Sequence, residues 1–452
     1  MSESIDHFLN YLRDSPTPYH AVANIAETLE TSGYSRLHES DSWPKLTTGK
    51  YYLTRNDSSL IAFNLSQSPA AEGFRLIGAH TDSPCLKIKP NAIAINNGYA
   101  KFGVEVYGGV LLNPWFDRDL ALAGRVTVQT KAGAIDNFLI NIDQPIAFIP
   151  SLAIHLDREA NENRSINKQK HLPAVICRTP KPTDKDGQNF ETLLKKWLKQ
   201  QYPELSPVKI LAFELSLYDH QPPRLVGLNR EFIASARLDN LLSCYAAVAA
   251  LLNSNNRSNQ VIALNDHEEV GSASTSGAHG SLLYSVLSRI CAGNESLQRA
   301  ISRSMLISAD NAHGVHPNYP EVHEPAHQPL INNGPVIKIN NNQRYATNSE
   351  TASVFKAVCD DNKIPYQVIV VRSDMGCGST IGPITATRLG VRTVDVGVPQ
   401  LGMHSIRELA GAKDVEYLAT ALKGFFEMKR WPFHGASTAV SRSSMEGMKP
   451  SQ

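Results

Sequence analysis

The chain has almost no net charge. Its 44 Lys and Arg face 43 Asp and Glu, leaving +1 over 452 residues. A general nucleic-acid binder carries a strongly basic balance, so nucleic acid is not an expected partner. No apolar run approaches the roughly 18 residues that a membrane helix needs, so no membrane is expected either. The opening MSESIDHF has neither the basic nor the apolar region of a secretory signal. Six cysteines, Cys85, Cys177, Cys244, Cys291, Cys359 and Cys377, are scattered without a Cys-x-x-Cys pair. That argues against a disulfide framework or a cysteine zinc site and suits a reducing cytoplasm. No internal repeat is visible. What remains is an ordinary globular composition, 42% hydrophobic and 19% charged. Its length suggests two or three domains at about 100–200 residues each.

Helical periodicity opens the chain. Ile5, Phe8, Leu9 and Leu12 share one face, Pro16 and Pro18 interrupt it, and Val22, Ile25, Ala26 and Leu29 resume it up to Gly33. Residues 74–79 (FRLIGA) read as a buried strand. From about residue 93 the texture turns β-rich and glycine-punctuated (FGVEVYGGVLL, GRVTVQT). A Lys-rich stretch with Pro180 and Pro182 follows, with a short amphipathic piece at Leu193, Leu194, Trp197 and Leu198. The span 93–232 therefore reads as an inserted domain. Beyond it, strands (VIALN, MLIS, YQVIVV, VRTVDVGV) alternate with helices (LLSCYAAVAALL, DVEYLATALKGFFEMK). That alternation predicts an α/β fold, a mostly parallel sheet covered by helices on both faces. The tail from about residue 434 has no pattern and reads as disordered.

Several of these strands end in residues that can ligate a metal. FRLIGA delivers His80, with Asp82 two positions on. VIALN leads to Glu268 and Glu269, MLIS to Asp310, and VRTVDVGV through a loop to His404, while Asp239 opens a helix. Ligands of open parallel sheets bind outside the carboxyl ends of the strands, where the loops converge. Each residue taken singly has a plainer reading. His-x-Asp occurs on surfaces, and two acids in a row can be a solvated loop. Asp239 can cap its helix, and Asp310-Asn311 can make a turn. His404 stands before a Ser405-x-x-Glu408 capping-box pattern that predicts a helix start. The chemistry favours the other reading. Two adjacent acids after a buried strand need a cation to compensate them. Asp82 is placed to hold the second nitrogen of a ligating His80. His313 and His316 are further candidates, deeper in their loop.

GAHTDSP, SARLDN, HEEVGS, SADNAHGVHPNYP and MHSIRE, with GPVIKINNNQRYATN and GCGSTIGP, occur in that order over roughly residues 5–430. This set resembles the aspartyl aminopeptidase family of di-zinc metallo-aminopeptidases. The resemblance implies a catalytic domain split into 1–92 and 233–452 around a β-rich dimerisation domain at 93–232. It also implies self-association into dimers and a tetrahedral dodecamer. It implies removal of one N-terminal Asp or Glu from peptides with a free N-terminus. His80, Asp239, Glu269, Asp310 and His404 match the ligands of two zinc ions, one position open to Mn²⁺ or Co²⁺. Asp239 matches the bridging carboxylate, Glu268 the general base, and Asp82 the partner of the ligating histidine. His155 in SLAIHLDR matches a histidine that acts on the neighbouring subunit's site; a structural role on the insert is the plainer alternative. Lys338 in VIKIN matches a pocket lysine for the acidic side chain; its alternative is a strand-edge lysine. The metal motifs alone do not separate an acidic from a neutral or hydrophobic aminopeptidase. A catalytically silent structural shell would be expected to have lost some of these residues.

Overall fold

The computed structural model describes residues 2–66, 68–179, 190–205 and 207–433. The expected disordered tail from about 434 lies outside them, as do Pro180 and Pro182. A nine-stranded sheet forms the centre. Its four middle strands, Gln260–Asn265, Arg75–His80, Met305–Ala309 and Arg392–Gly397, lie side by side and parallel. The apolar runs of these four strands are buried on both faces, and their residues divide by parity. Ile77, Ala79, Ile262 and Leu264 face one core, shared with helices Ser2–Asp14, Pro18–Thr31, Leu238–Asn253, Ser349–Asp361 and Ala412–Glu427. Leu76, Val261, Ala263 and Leu306 face the other, with helices Leu282–Cys291 and Asn294–Ser302. Helix Leu238–Asn253 carries Ala246, Ala247 and Ala250 buried, so it lies close against the sheet.

Strands Gly49–Arg55 and Ser59–Leu65 form an antiparallel hairpin on this sheet. The sequence reading passed over them. The signal was present: Asn56 and Asp57 both adopt positive φ (54° each), the turn chemistry of a tight hairpin.

A second, six-stranded antiparallel sheet runs from Cys85–Asn96 to Pro207–Asp219. Helix Phe190–Gln201 buries Leu194 and Leu198 in the core beneath it. The expected boundary at 93 falls inside strand Cys85–Asn96, because Leu86 and Ile88 already pack in the second core. Strands Arg224–Val226 and Phe232–Ser235 belong to a third, five-stranded sheet with Glu408–Gly411, Pro399–Leu401 and Ala312–His313. Among the described residues, no helix is long and apolar enough to cross a membrane.

Candidate metal centre

His80 is the last residue of its strand and sits level with Asn265, the last of the neighbouring strand. Asp310 follows Ala309 directly on the other side. Glu268 and Glu269 form a single helical turn just past Asn265. The tips of these strands therefore bring side chains from distant positions to one level, 1% of His80 remaining exposed.

Two histidines stand on either side of Asp239. His80 Nε2 lies 3.4 Å from Asp239 Oδ1, 3.5 Å from Asp310 Oδ1 and 4.0 Å from Glu268 Oε2. His404 Nε2 lies 3.3 Å from Glu269 Oε2 and 3.8 Å from Asp239 Oδ2. Ligand atoms of His80, Asp239 and Glu269 all fall within 4.8 Å of one another. Thus the five residues picked from the sequence, with Glu268, gather at one place. Asp239 does not serve as a helix cap: its Oδ1 makes no hydrogen bond, and its carboxylate faces His80 and His404.

Asp82 holds this cluster from below. Its carboxylate accepts the backbone N–H groups of Glu268 and Glu269, both at 3.1 Å. His80 Nδ1 contacts the Asp82 main-chain oxygen at 3.1 Å and its Oδ1 at 3.4 Å. An Nδ1–H donated there leaves the Nε2 lone pair for a cation.

The capping-box reading of Ser405 and Glu408 fails. Glu408 begins strand Glu408–Gly411, and the next helix starts at Ala412. Its carboxylate instead accepts His404 N–H at 2.8 Å and Asp239 N–H at 3.0 Å. Glu408 is thus a site residue that sequence reasoning took for local helix chemistry. Lys338 is not a strand-edge lysine either. It is 3% exposed, and its ammonium lies 3.4 Å from Asp310 Oδ2 and over the Tyr345 ring. His155 sits on an exposed turn beside Leu152, Ile154 and Leu156. His313 and His316 line a neighbouring cavity of about 390 Å³, with His323, Arg372, Tyr345 and Met403.

The donor set fits a metal on chemical grounds. Among the described residues, five carboxylates (Asp82, Asp239, Glu268, Glu269, Asp310) meet only His80, His404 and Lys338 as cationic partners. Burial, with the charges of Asp310 and Asp239, pushes Glu268 up to about 8, against the pull of His80. Burial and the Asp310 charge likewise raise Asp239, and burial and Asp239 raise Glu269. Burial acts the same way on Asp310, but Lys338 and His80 outweigh it and hold that carboxyl below the ordinary range. Asp239 Oδ1 and Glu269 Oε1 are buried and make no hydrogen bond. Excess buried carboxylate with free oxygens is what a divalent cation compensates, and imidazole with carboxylate suits zinc.

A mixed α/β fold with histidines and acids at its strand tips defines a metallohydrolase architecture. Comparison with known proteins gives the class a family. The profile of the Aminopeptidase I zinc metalloprotease (M18) family matches residues 11–426. A protein of Azotobacter vinelandii described as a probable M18 family aminopeptidase 2 is 53% identical over 425 residues, covering 94% of this chain and 98% of that one. A Pseudomonas aeruginosa protein of the same description matches equally. Among solved structures, the fold superposes on Ape4 in its complex with Nbr1 (TM-score 0.91, 40% identity, 94% of this chain and 86% of that one). It also superposes on prApe1 (TM-score 0.87, 30% identity, 94% of each). The chain belongs to the M18 family of zinc aminopeptidases.

Proposed function

We propose that this aminopeptidase releases an N-terminal Asp or Glu from peptides, using two zinc ions with Glu268 as general base. The observation that carries the two-ion reading is Asp239 standing between His80 and His404. One ion would be held by His80, Asp239 and Asp310, the other by His404, Asp239 and Glu269, with Mn²⁺ or Co²⁺ acceptable at one position. When bound, zinc supplies Lewis acidity toward the peptide carbonyl and acidifies water. Glu268 takes the proton of the attacking water and delivers it to the departing amine. Its side chain lies 4.0 Å from His80 Nε2 and, among the described residues, accepts no backbone hydrogen bond, which leaves it free to carry a proton. His155 supports the oxyanion from a partner subunit.

Acidic preference rests on Arg372 in the adjoining cavity and on Lys338 behind Asp310; His313, His316, His323 and the carboxylate of Glu324 line the same cavity. The same cavity carries Tyr319, Val322, Ile369 and Met375, which favours the second reading, a neutral or hydrophobic preference. A panel of peptides beginning with Asp, Glu, Leu or Ala, with and without chelator, decides between them. Faster cleavage of Leu than of Asp and Glu rejects the acidic assignment.

The inserted module, read as 93–232 and carrying its sheet from Cys85 to Asp219, is proposed to build dimers. The related S. cerevisiae mApe1 was solved as a dodecamer (TM-score 0.81, 29% identity, 95% of this chain and 98% of that one). A tetrahedral dodecamer is proposed here on that likeness. Six unpaired cysteines support a cytoplasmic setting.

A further inference from the structure

We propose that segment 107–111 of the inserted module is a positioning element for the metal centre, with the Tyr107 hydroxyl its main contact. The proposal rests on the metal-centre reading above. Tyr107 ends strand Tyr99–Tyr107 of the six-stranded sheet, yet its hydroxyl donates to Asp82 Oδ2 at 2.7 Å. That carboxylate also receives the N–H groups of Glu268 and Glu269 and contacts His80. One bond from the insert therefore reaches the group that holds a ligand histidine, a ligand glutamate and the general base. Lys87 sets its ammonium 3.9 Å over the Tyr107 ring and keeps it in place.

The next residues touch the ligands directly. Gly108 adopts φ +74°, and a Cβ there would stand 3.1 Å from Glu269 Cβ. A Cβ on Gly109 would stand 3.1 Å from His404 Nδ1. The Gly109 carbonyl accepts from His404 Nδ1 at 3.0 Å, and Leu111 N–H donates to the His404 carbonyl at 3.1 Å. The Gly109 contact sets the His404 tautomer that turns Nε2 toward Asp239 and Glu269. Asp82 and His404, on opposite sides of the centre, are thus both held by a segment of the other sheet. Gly108 suits its positive φ, and at both glycines a Cβ would press on a ligand residue, which would have to shift by a few tenths of an ångström to admit it.

The test uses the full-length zinc-loaded protein. Tyr107→Phe removes only the hydroxyl. Tyr202→Phe is the control, since its hydroxyl donates to Leu139 O within the same module, at 2.8 Å, away from the centre. Zinc affinity is read by competition with a chromogenic chelator, and ligand geometry by the visible spectrum of the cobalt-substituted protein. Tyr107→Phe is expected to weaken zinc by about tenfold or more, as loss of a ligand's hydrogen-bond partner does, to alter the cobalt spectrum, and to lower kcat more than KM. Tyr202→Phe is expected to leave all three unchanged. Zinc affinity within about twofold of the parent for Tyr107→Phe, or an equal loss in both variants, overturns the proposal. Gly109→Ala, if folded by circular dichroism, is expected to lose zinc at the His404 position; full zinc binding in it also overturns the proposal. A parent protein that takes up no zinc defeats the metal-centre reading itself, a result distinct from parity between parent and Tyr107→Phe.

Discussion

Lys338 directs its ammonium at Asp310, 3.4 Å from Oδ2, in a position with 3% exposure. The pocket lysine expected from the resemblance is therefore already engaged by a proposed metal ligand. An acidic substrate side chain would have to share it. Lys338→Met tests whether it does. The Asp-to-Leu ratio of kcat/KM is expected to fall by roughly 10- to 100-fold, since a site built for a charge discriminates through the charge left unpaired. A uniform fall across all four substrates would assign Lys338 to Asp310 alone.

Glu268→Gln preserves size and removes the base. Metal content is expected to match the parent, while kcat falls by about 10²–10⁴-fold. Steady-state kinetics with metal analysis of the same sample checks both halves. Parent-like kcat ends the base assignment.

His155 lies on an exposed turn, and the same turn leaves Leu156 75% exposed. His155→Ala is expected to keep its zinc and lose activity. Mixing it with Glu268→Gln chains is expected to restore part of that activity in hybrid dimers. Verified hybrids without any recovery would remove the action in trans.

Chelation should make stability pH-dependent. Without a cation, Glu268 and Glu408 each sit at about 8, raised by burial and, for Glu408, by Asp239. Their unfolded values are near 4.3, so the folded apo-protein binds the extra protons between those limits. Its stability is then greatest at the acid end of the window and is lost as pH rises from about 4.3 through 8. Zinc compensates the same charges, so the holo-protein should lack this slope. Thermal unfolding at several pH values, with and without chelator, measures the difference. Parallel curves would contradict the cation-compensation argument.

Glu408→Gln replaces one acceptor oxygen by a donor. Either Asp239 N–H or His404 N–H then loses its partner, at a cost of about 1–3 kcal/mol. A lower Tm and weaker zinc binding are expected together. Unchanged zinc affinity would limit Glu408 to a structural role.

The strands carrying the centre were legible because their apolar runs are buried on both faces. The same logic placed His80, Glu268, Glu269 and Asp310 at strand ends. Where local patterns had two solutions, the reading erred. Ser405-x-x-Glu408 satisfies a helix cap by spacing, but Glu408 is drawn instead to two backbone donors, one of them at Asp239, 169 positions away. The texture change near 93 came too late because strand Cys85–Asn96 already belongs to the second sheet along its whole length. The hairpin at Asn56 was missed although its turn residues were visible.

Periodicity and residue chemistry alone determined a parallel α/β scaffold with a β-rich insertion, and a set of acids and histidines at its strand tips. The folded chain decided which histidine faces which carboxylate, that Lys338 belongs to Asp310, and that Tyr107 of the second sheet supports Asp82. Side-chain burial along a strand repeats every two residues and leaves a mark in the sequence. A contact such as that between Gly109 and His404 spans 295 positions and leaves no local pattern, because it exists only once the two sheets have docked.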